Sequence, residues 1–244
     1  MSASTITERE MQHVDWMAAA EEEYRRLDAL LADLAEDEWL LPTDCAGWTV
    51  HDVVAHLVGA AESTARVPEL VRQAWHGRRL RDGGPLIDGI NAFQVRERAG
   101  AGPEDLRREL AEAGVRGVRA RRRLPPALRA VRLPFGPPVG TRPLGYPMGR
   151  IYTRDAWLHR VDLARATGRP LRLDADHDGR LIADVVTEWS HTHGEPYRLT
   201  LTGPAGGSWS RGAGDALELD AVQFCRVLSG RAPGTGLLAH PVPF

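Results

Sequence analysis

The stretch Thr49–Leu57, T-V-H-D-V-V-A-H-L, places Asp52 four residues before His56. A distant stretch, R-D-A-W-L-H-R-V-D (residues 154–162), repeats that spacing with Asp155 and His159. Residues i and i+4 of a helix lie on one face, one turn apart, so each pair presents a carboxylate and an imidazole together. Two such helices facing each other in a bundle can converge these side chains on one ion. Three nitrogen or oxygen ligands leave one position of a four-coordinate zinc open. The spacing also suits a plainer use, a hydrogen bond or a helix cap. Thr49 is a good N-cap and Asp52 stands at the capping-box position, so Asp52 is expected to close the helix start or to back an imidazole as acceptor, not to ligate. His56 is flanked by Val53, Val54, Leu57 and Val58, and His159 by Trp157, Leu158 and Val161. Both imidazoles are therefore directed towards an interior, where an unpaired polar group costs about 1–3 kcal/mol. A backbone carbonyl would satisfy such a histidine as well as a metal would. His51, about 140° round from His56 at roughly 100° per residue, is expected at the surface.

Composition narrows the partners. Of 244 residues, 43% are apolar and 26% charged, with a formal net charge of −2. This gives no general attraction to nucleic acid or to an anionic membrane. No apolar run is long enough for a membrane helix, and the start, M-S-A-S-T-I-T-E-R-E-M-Q, lacks the basic-then-apolar order of a signal peptide, so a cytoplasmic protein is expected. Two cysteines, Cys45 and Cys225, are too few for a disulfide framework. Cys45 is read as a small residue packing its loop. All 31 basic residues are arginine, which excludes Schiff-base catalysis and a P-loop lysine and points to a GC-rich genome.

The predicted order is mainly helical. An amphipathic helix is expected over residues 5–38, with Val14, Met17, Leu27, Leu30, Leu31 and Leu34 as its apolar stripe. The loop L-P-T-D-C-A-G-W follows, with Trp48 stapling the helix that Thr49 opens. A broken region containing P-E-L-V-R-Q-A-W and D-G-G-P leads to a helix from Pro103, acidic in its first turn and rich in arginine in its last. Residues 124–148 carry seven prolines and are expected to be irregular and extended. Helical pattern returns over 149–167, stopped by Gly168, and again over 179–192. Then P-Y-R-L-T-L-T-G, S-W-S-R and A-L-E-L read as short strands before a helix D-A-V-Q-F-C-R-V-L-S-G-R. The expectation is an α+β chain, mainly α: a four-helix bundle over residues 1–170 and a small α/β domain over 171–244.

The order W-T-V-H-D-V-V-A-H-L, then D-A-W-L-H-R-V-D-L-A-R-A-T-G-R-P, then L-S-G-R near the end resembles the mycothiol-dependent maleylpyruvate isomerase family, DinB-like metal-dependent bundles with a small C-terminal domain. The resemblance implies a divalent metal, typically zinc, held by His56, Asp155 and His159. The family's isomerases usually carry glutamate at the position of Asp155, so this carboxylate must reach from one methylene further back. Asp162 would then orient the His159 imidazole, or else pair at the surface with Arg165 or Arg169. The resemblance further implies that a low-molecular-weight thiol, mycothiol, adds as thiolate to an activated double bond, a C–C bond rotates, and the thiol leaves. Arg231 of L-S-G-R is the implied cationic group for carboxylate substrate and cofactor, with Arg154 and Arg150 as further candidates. The small-molecule substrate would be an electrophile bearing a carboxylate. An actinobacterial source, where mycothiol is made, agrees with the lysine-free composition. The same bundle also suits a hydrolase or lyase using zinc-bound water, or a ligand-binding protein without turnover.

Other motifs are assigned no chemistry. D-A-D-H-D-G-R-L (174–181) copies half a calcium loop but has Val185 where a bidentate glutamate is due, so it is read as a turn capping the next helix. H-T-H (191–193) is expected to be exposed. The arginines of V-R-G-V-R-A-R-R-R (115–123) are expected to form a solvated, dipole-matched face.

Overall fold

A computed structural model of the protein describes residues 10–136 and 139–244. It divides into two compact units, one of them His13–Pro170 and the other built on Leu171–Phe244. In the first, helices α1 (His13–Leu31), α2 (Val50–Ala65), α3 (Val67–Leu80), α4 (Leu86–Glu97), α5 (Pro103–Arg122), the single turn α6 (Pro126–Arg129) and α7 (Tyr152–Thr167) follow in order, with a hairpin β1 (Arg132–Pro134) and β2 (Thr141–Pro143) before α7. Contacts of α1 with α5, α5 with α2, α2 with α7 and α7 with α1 close a ring of four long helices. The α3–α4 pair packs on the outer side of α2. Enclosed by α3, α4, α5 and α7, α2 buries residues on every face, His56 and Ser63 among its valines and alanines.

The first helix is shorter than its apolar pattern predicts. It ends at Leu31, and residues 36–40 form a separate 3-10 turn; residues 5–9 of the predicted span lie outside the described residues. The break is held by distant groups, since Arg169 donates to the Asp33 carbonyl (2.7 Å) and to Glu38 (2.6 Å), whose carboxylate caps the Ala35 N–H (2.8 Å). Met17, Leu27 and Leu31 are buried as expected, whereas Val14 is 69% exposed. The region read as broken forms two helices, α3 and α4, crossing at Gly77 and Gly89 so closely that a Cβ on Gly89 would stand 2.0 Å from the Gly77 carbonyl oxygen. The proline-rich segment is not wholly irregular, because it folds into α6, the hairpin and a π-helical turn, Pro147–Ile151, that leads into α7. Gly168 ends α7 in the left-handed conformation, φ 65°.

In the second unit α8 (Arg180–His193) precedes strands β3 (Tyr197–Thr202), β4 (Gly207–Arg211) and β5 (Ala216–Asp220), followed by α9 (Ala221–Leu228). The sheet order is β4-β3-β5, antiparallel to β4 and parallel to β5. Alternate residues Tyr197, Leu199 and Leu201 of β3 point inward, where Trp189 meets Tyr197 and Phe224 edge-on. Asp174 caps the turn before α8 by accepting the His177 N–H (2.8 Å). His191 is exposed as expected, but His193 is half-buried against Trp189, with ring centroids 4.3 Å apart.

Candidate metal centre

Thr49 and Asp52 form the capping box that starts α2, Asp52 accepting from the Thr49 N–H (2.9 Å) and Oγ1 (2.8 Å). Asp52 is thus spent on the cap, the first of its two expected roles, and backs neither His56 nor His159. His51 is half-buried where its helical angle suggested full exposure; its Nε2 hydrogen-bonds the Ala101 carbonyl at 2.9 Å. One turn further along α2, His56 is buried, and α7 brings Asp155 and His159 opposite it. The Asp155 carboxylate stands between the imidazoles, Oδ2 at 3.3 Å from His56 Nε2 and Oδ1 at 3.4 Å from His159 Nε2.

The tautomers follow from what each Nδ1 meets. His56 Nδ1 lies 2.8 Å from Gln94 Oε1, Gln94 Nε2 donates to Gln73 Oε1 (2.7 Å), and Gln73 Nε2 donates to the Gly59 carbonyl and to Glu69 (both 2.9 Å). A carbonyl and a carboxylate can only accept, so the polarity of this chain is fixed from its far end. It follows that His56 carries its proton on Nδ1 and turns a bare Nε2 inward. His159 Nδ1 donates to Asp162 (3.0 Å), which is fully buried, and Cys45 Sγ donates to the same Asp162 oxygen at 3.3 Å. Asp162 therefore orients the imidazole; Arg165 and Arg169 pair instead with Asp44 and Glu38.

Two bare nitrogens facing one carboxylate are acceptors without a donor, an arrangement that needs a cation or a proton at its centre. The three donor atoms lie within 4.8 Å of one another. Zinc bonds of about 2.0–2.1 Å at tetrahedral angles put neighbouring ligand atoms about 3.3 Å apart, a spacing Asp155 meets towards each imidazole through a different carboxylate oxygen. The donor set fits zinc. Burial alone would lower His159, yet the charge of Asp155 and hydrogen bonding with Asp155, Asp162 and Cys45 hold it well above the usual imidazole range. Against its own burial, Asp155 is held far below the usual carboxylate range by His159 and then His56.

Four residues of this centre escaped sequence reading. Gln94 and Gln73 sit on the helices that were read as broken. Cys45 is no mere loop filler, since it shares the oxygen of Asp162. Trp48 packs its ring 5.2 Å from His56 and 6.2 Å from His159, between centroids. The loop that carries both is closed by Thr43, whose N–H and Oγ1 donate to the Trp48 carbonyl (2.9 and 3.0 Å) and whose Oγ1 accepts from the Cys45 N–H (3.2 Å). Its signal in the sequence is the turn-forming T-D-C-A-G. Of the expected cationic groups, Arg154 is buried beside Asp155 in sequence, and Arg150 stands 6.0 Å over Trp16 and 5.9 Å over Tyr146. Arg231 follows α9 in the other unit, its N–H bonded to the Arg226 carbonyl at 2.8 Å.

The ring of four helices brings two histidines and one carboxylate, from α2 and α7, to one place. The chain belongs to the family described as mycothiol maleylpyruvate isomerase N-terminal domain, whose model matches residues 20–164. A crystal structure of the mycothiol-dependent maleylpyruvate isomerase superimposes with a TM-score of 0.62 at 16% identity, covering 91% of this chain and 90% of that one. A histidine-to-alanine mutant of the mycothiol-dependent maleylpyruvate isomerase gives 0.61 over the same shares. These likenesses are of fold. The uncharacterized protein Rv0036c of Mycobacterium tuberculosis is 28% identical over 218 residues, 84% of this chain and 80% of its own length.

Proposed function

We propose that the protein is a zinc-dependent enzyme that uses mycothiol or a related small thiol on a small, carboxylate-bearing electrophile, as an isomerase or a thiol transferase. The observation that carries this reading is the pair of inward-facing Nε2 atoms either side of Asp155, in a chain of this family. A zinc ion held there supplies a lowered thiol pKa, so that thiolate is available at neutral pH.

The residues divide the remaining work. His56, Asp155 and His159 are three donors, and three leave one position for the thiol. With a single carboxylate among them, the set leaves a net positive centre that favours an anionic sulfur. Asp162 raises the donor strength of His159, while the neutral amide of Gln94 orients His56 without adding charge. Trp48 packs beside both rings, its centroid 5.2 Å from that of His56 and 6.2 Å from that of His159. Arg231, Arg154 and Arg150 remain proposed contacts for anionic groups of substrate and cofactor.

Calorimetric titration of mycothiol into zinc-loaded protein tests the reading. Saturable binding that disappears when zinc is removed is expected. A protein that holds zinc yet binds no thiol would instead favour hydrolysis by zinc-bound water.

A further inference from the structure

A second polar cluster lies in the same bundle and takes no part in holding the three donors. Arg121, in the last turn of α5, was expected in a solvated arginine face but is 1% exposed. Its Nη1 donates to the Met148 carbonyl at 3.0 Å, and its buried Nε–H has no acceptor among the described residues. No carboxylate among the described residues pairs with it. Two other buried guanidiniums of the bundle have carboxylate partners, Arg160 with Glu23 and Arg98 with Glu62. A buried charge with no counter-ion is costly, and an anion arriving from outside would relieve that cost.

What surrounds Arg121 suits such an anion. The guanidinium stands 5.9 Å over the ring of Tyr152, whose hydroxyl lies 3.1 Å from Ser63 Oγ. Tyr24 enters from α1 against Gly114, where a Cβ would come within 2.6 Å of its ring. Both tyrosines are half-buried, so solvent reaches them. Burial raises both hydroxyls, Tyr24 up to about 12, so they stay protonated and able to donate. Tyr152 precedes Asp155 by three residues on α7, and Ser63 follows His56 by seven on α2, so each lies on the face that carries its ligand. At 1.5 Å per residue the cluster sits about 5 Å along α7 from Asp155 and about 10 Å along α2 from His56. That is the reach of a carbon chain of a few atoms.

We propose that Arg121, with Tyr152 and Tyr24, is the receptor for a carboxylate of the substrate, holding its anionic end inside the bundle while its reactive carbons lie at the His56–Asp155–His159 centre. The inference rests on the enzymatic reading above and names the group by which the substrate is selected. A guanidinium offers a planar fork to a carboxylate, and a lysine or glutamine in its place would not.

The test is titration of maleate, a small dicarboxylate with an activated double bond, into zinc-loaded protein, with zinc content and circular dichroism measured on every variant. Arg121→Gln is expected to keep its zinc and weaken maleate binding about tenfold or more, with Arg121→Lys between it and wild type. Tyr152→Phe should weaken binding a few-fold. A folded, zinc-loaded Arg121→Gln protein that binds maleate like wild type overturns the proposal, as does a zinc-loaded wild type that binds no maleate. Should Arg121→Gln fail to fold, wild-type affinity in both Arg121→Lys and Tyr152→Phe overturns it equally. A wild type that holds no zinc contradicts the enzymatic reading instead; maleate binding that still depends on Arg121 would uphold the receptor alone.

Discussion

At the scale of the residue, the two histidines are backed differently. A buried carboxylate, Asp162, receives the Nδ1 proton of His159, and a neutral amide, Gln94, receives that of His56. Asp162→Asn should therefore lower zinc affinity by about 10–100-fold, measured by chelator competition, while leaving the fold in place. Protons compete with zinc for the same lone pair. Because His159 is held above its ordinary value of about 6.5 in the metal-free protein, its protonation stabilises that state fully below this value, and the benefit is lost as pH rises through the raised value. Apparent zinc affinity is thus expected to rise with pH up to the raised His159 value and to level off beyond it, as proton competition fades; isothermal titration at several pH values would show it, and a flat profile below that value would contradict it. The i,i+4 spacing, a local pattern, singles out two Asp/His pairs in the sequence, and the family resemblance narrows them to His56, Asp155 and His159. Gln94, Gln73 and Arg121 were not legible, since nothing in the local pattern separates a buried amide or guanidinium from a solvated one.

At the scale of the element, α3 explains why two helices were overlooked. Its apolar residues Val67, Val71 and Trp75 fall on one stripe, and that stripe is exposed, while Gln73 and Gly77 face the core. Hydrophobic periodicity therefore points the wrong way here, and polar positioning of His56 takes its place. Two glycines make this possible. Gly59 of α2 leaves room for Gln94, whose Cγ would lie 2.4 Å from an added Cβ, and Gly89 admits the Gly77 carbonyl. Gly89→Ala should cost about 3 kcal/mol in denaturant unfolding, because the obstructing atom is backbone. Gly59→Ala is expected to weaken zinc binding as well as stability, since the displaced side chain is the one that orients His56. At the start of α2, Thr49→Ala should cost about 1 kcal/mol through loss of the cap, with zinc affinity little changed.

At the scale of the whole chain, α2, α5, α7, α8 and the succession of short strands in the C-terminal half were readable from capping signals, glycine stops and alternation. The end of α1 was not, because Arg169, far along the chain, holds the break at Asp33 and Glu38. The three donors come from the neighbouring helices α2 and α7, so a ligand there ties two helices of the bundle together. Zinc at one hundred times its dissociation constant should stabilise the fold by about 2.7 kcal/mol, visible as a raised unfolding midpoint that a chelator reverses. The most direct measurement of the central claim is the metal content of purified protein, wild type against His56→Ala and His159→Ala. Stoichiometric zinc in the wild type and its loss from both folded variants is the predicted result; a wild type without stoichiometric metal, or variants that keep it, would contradict the account.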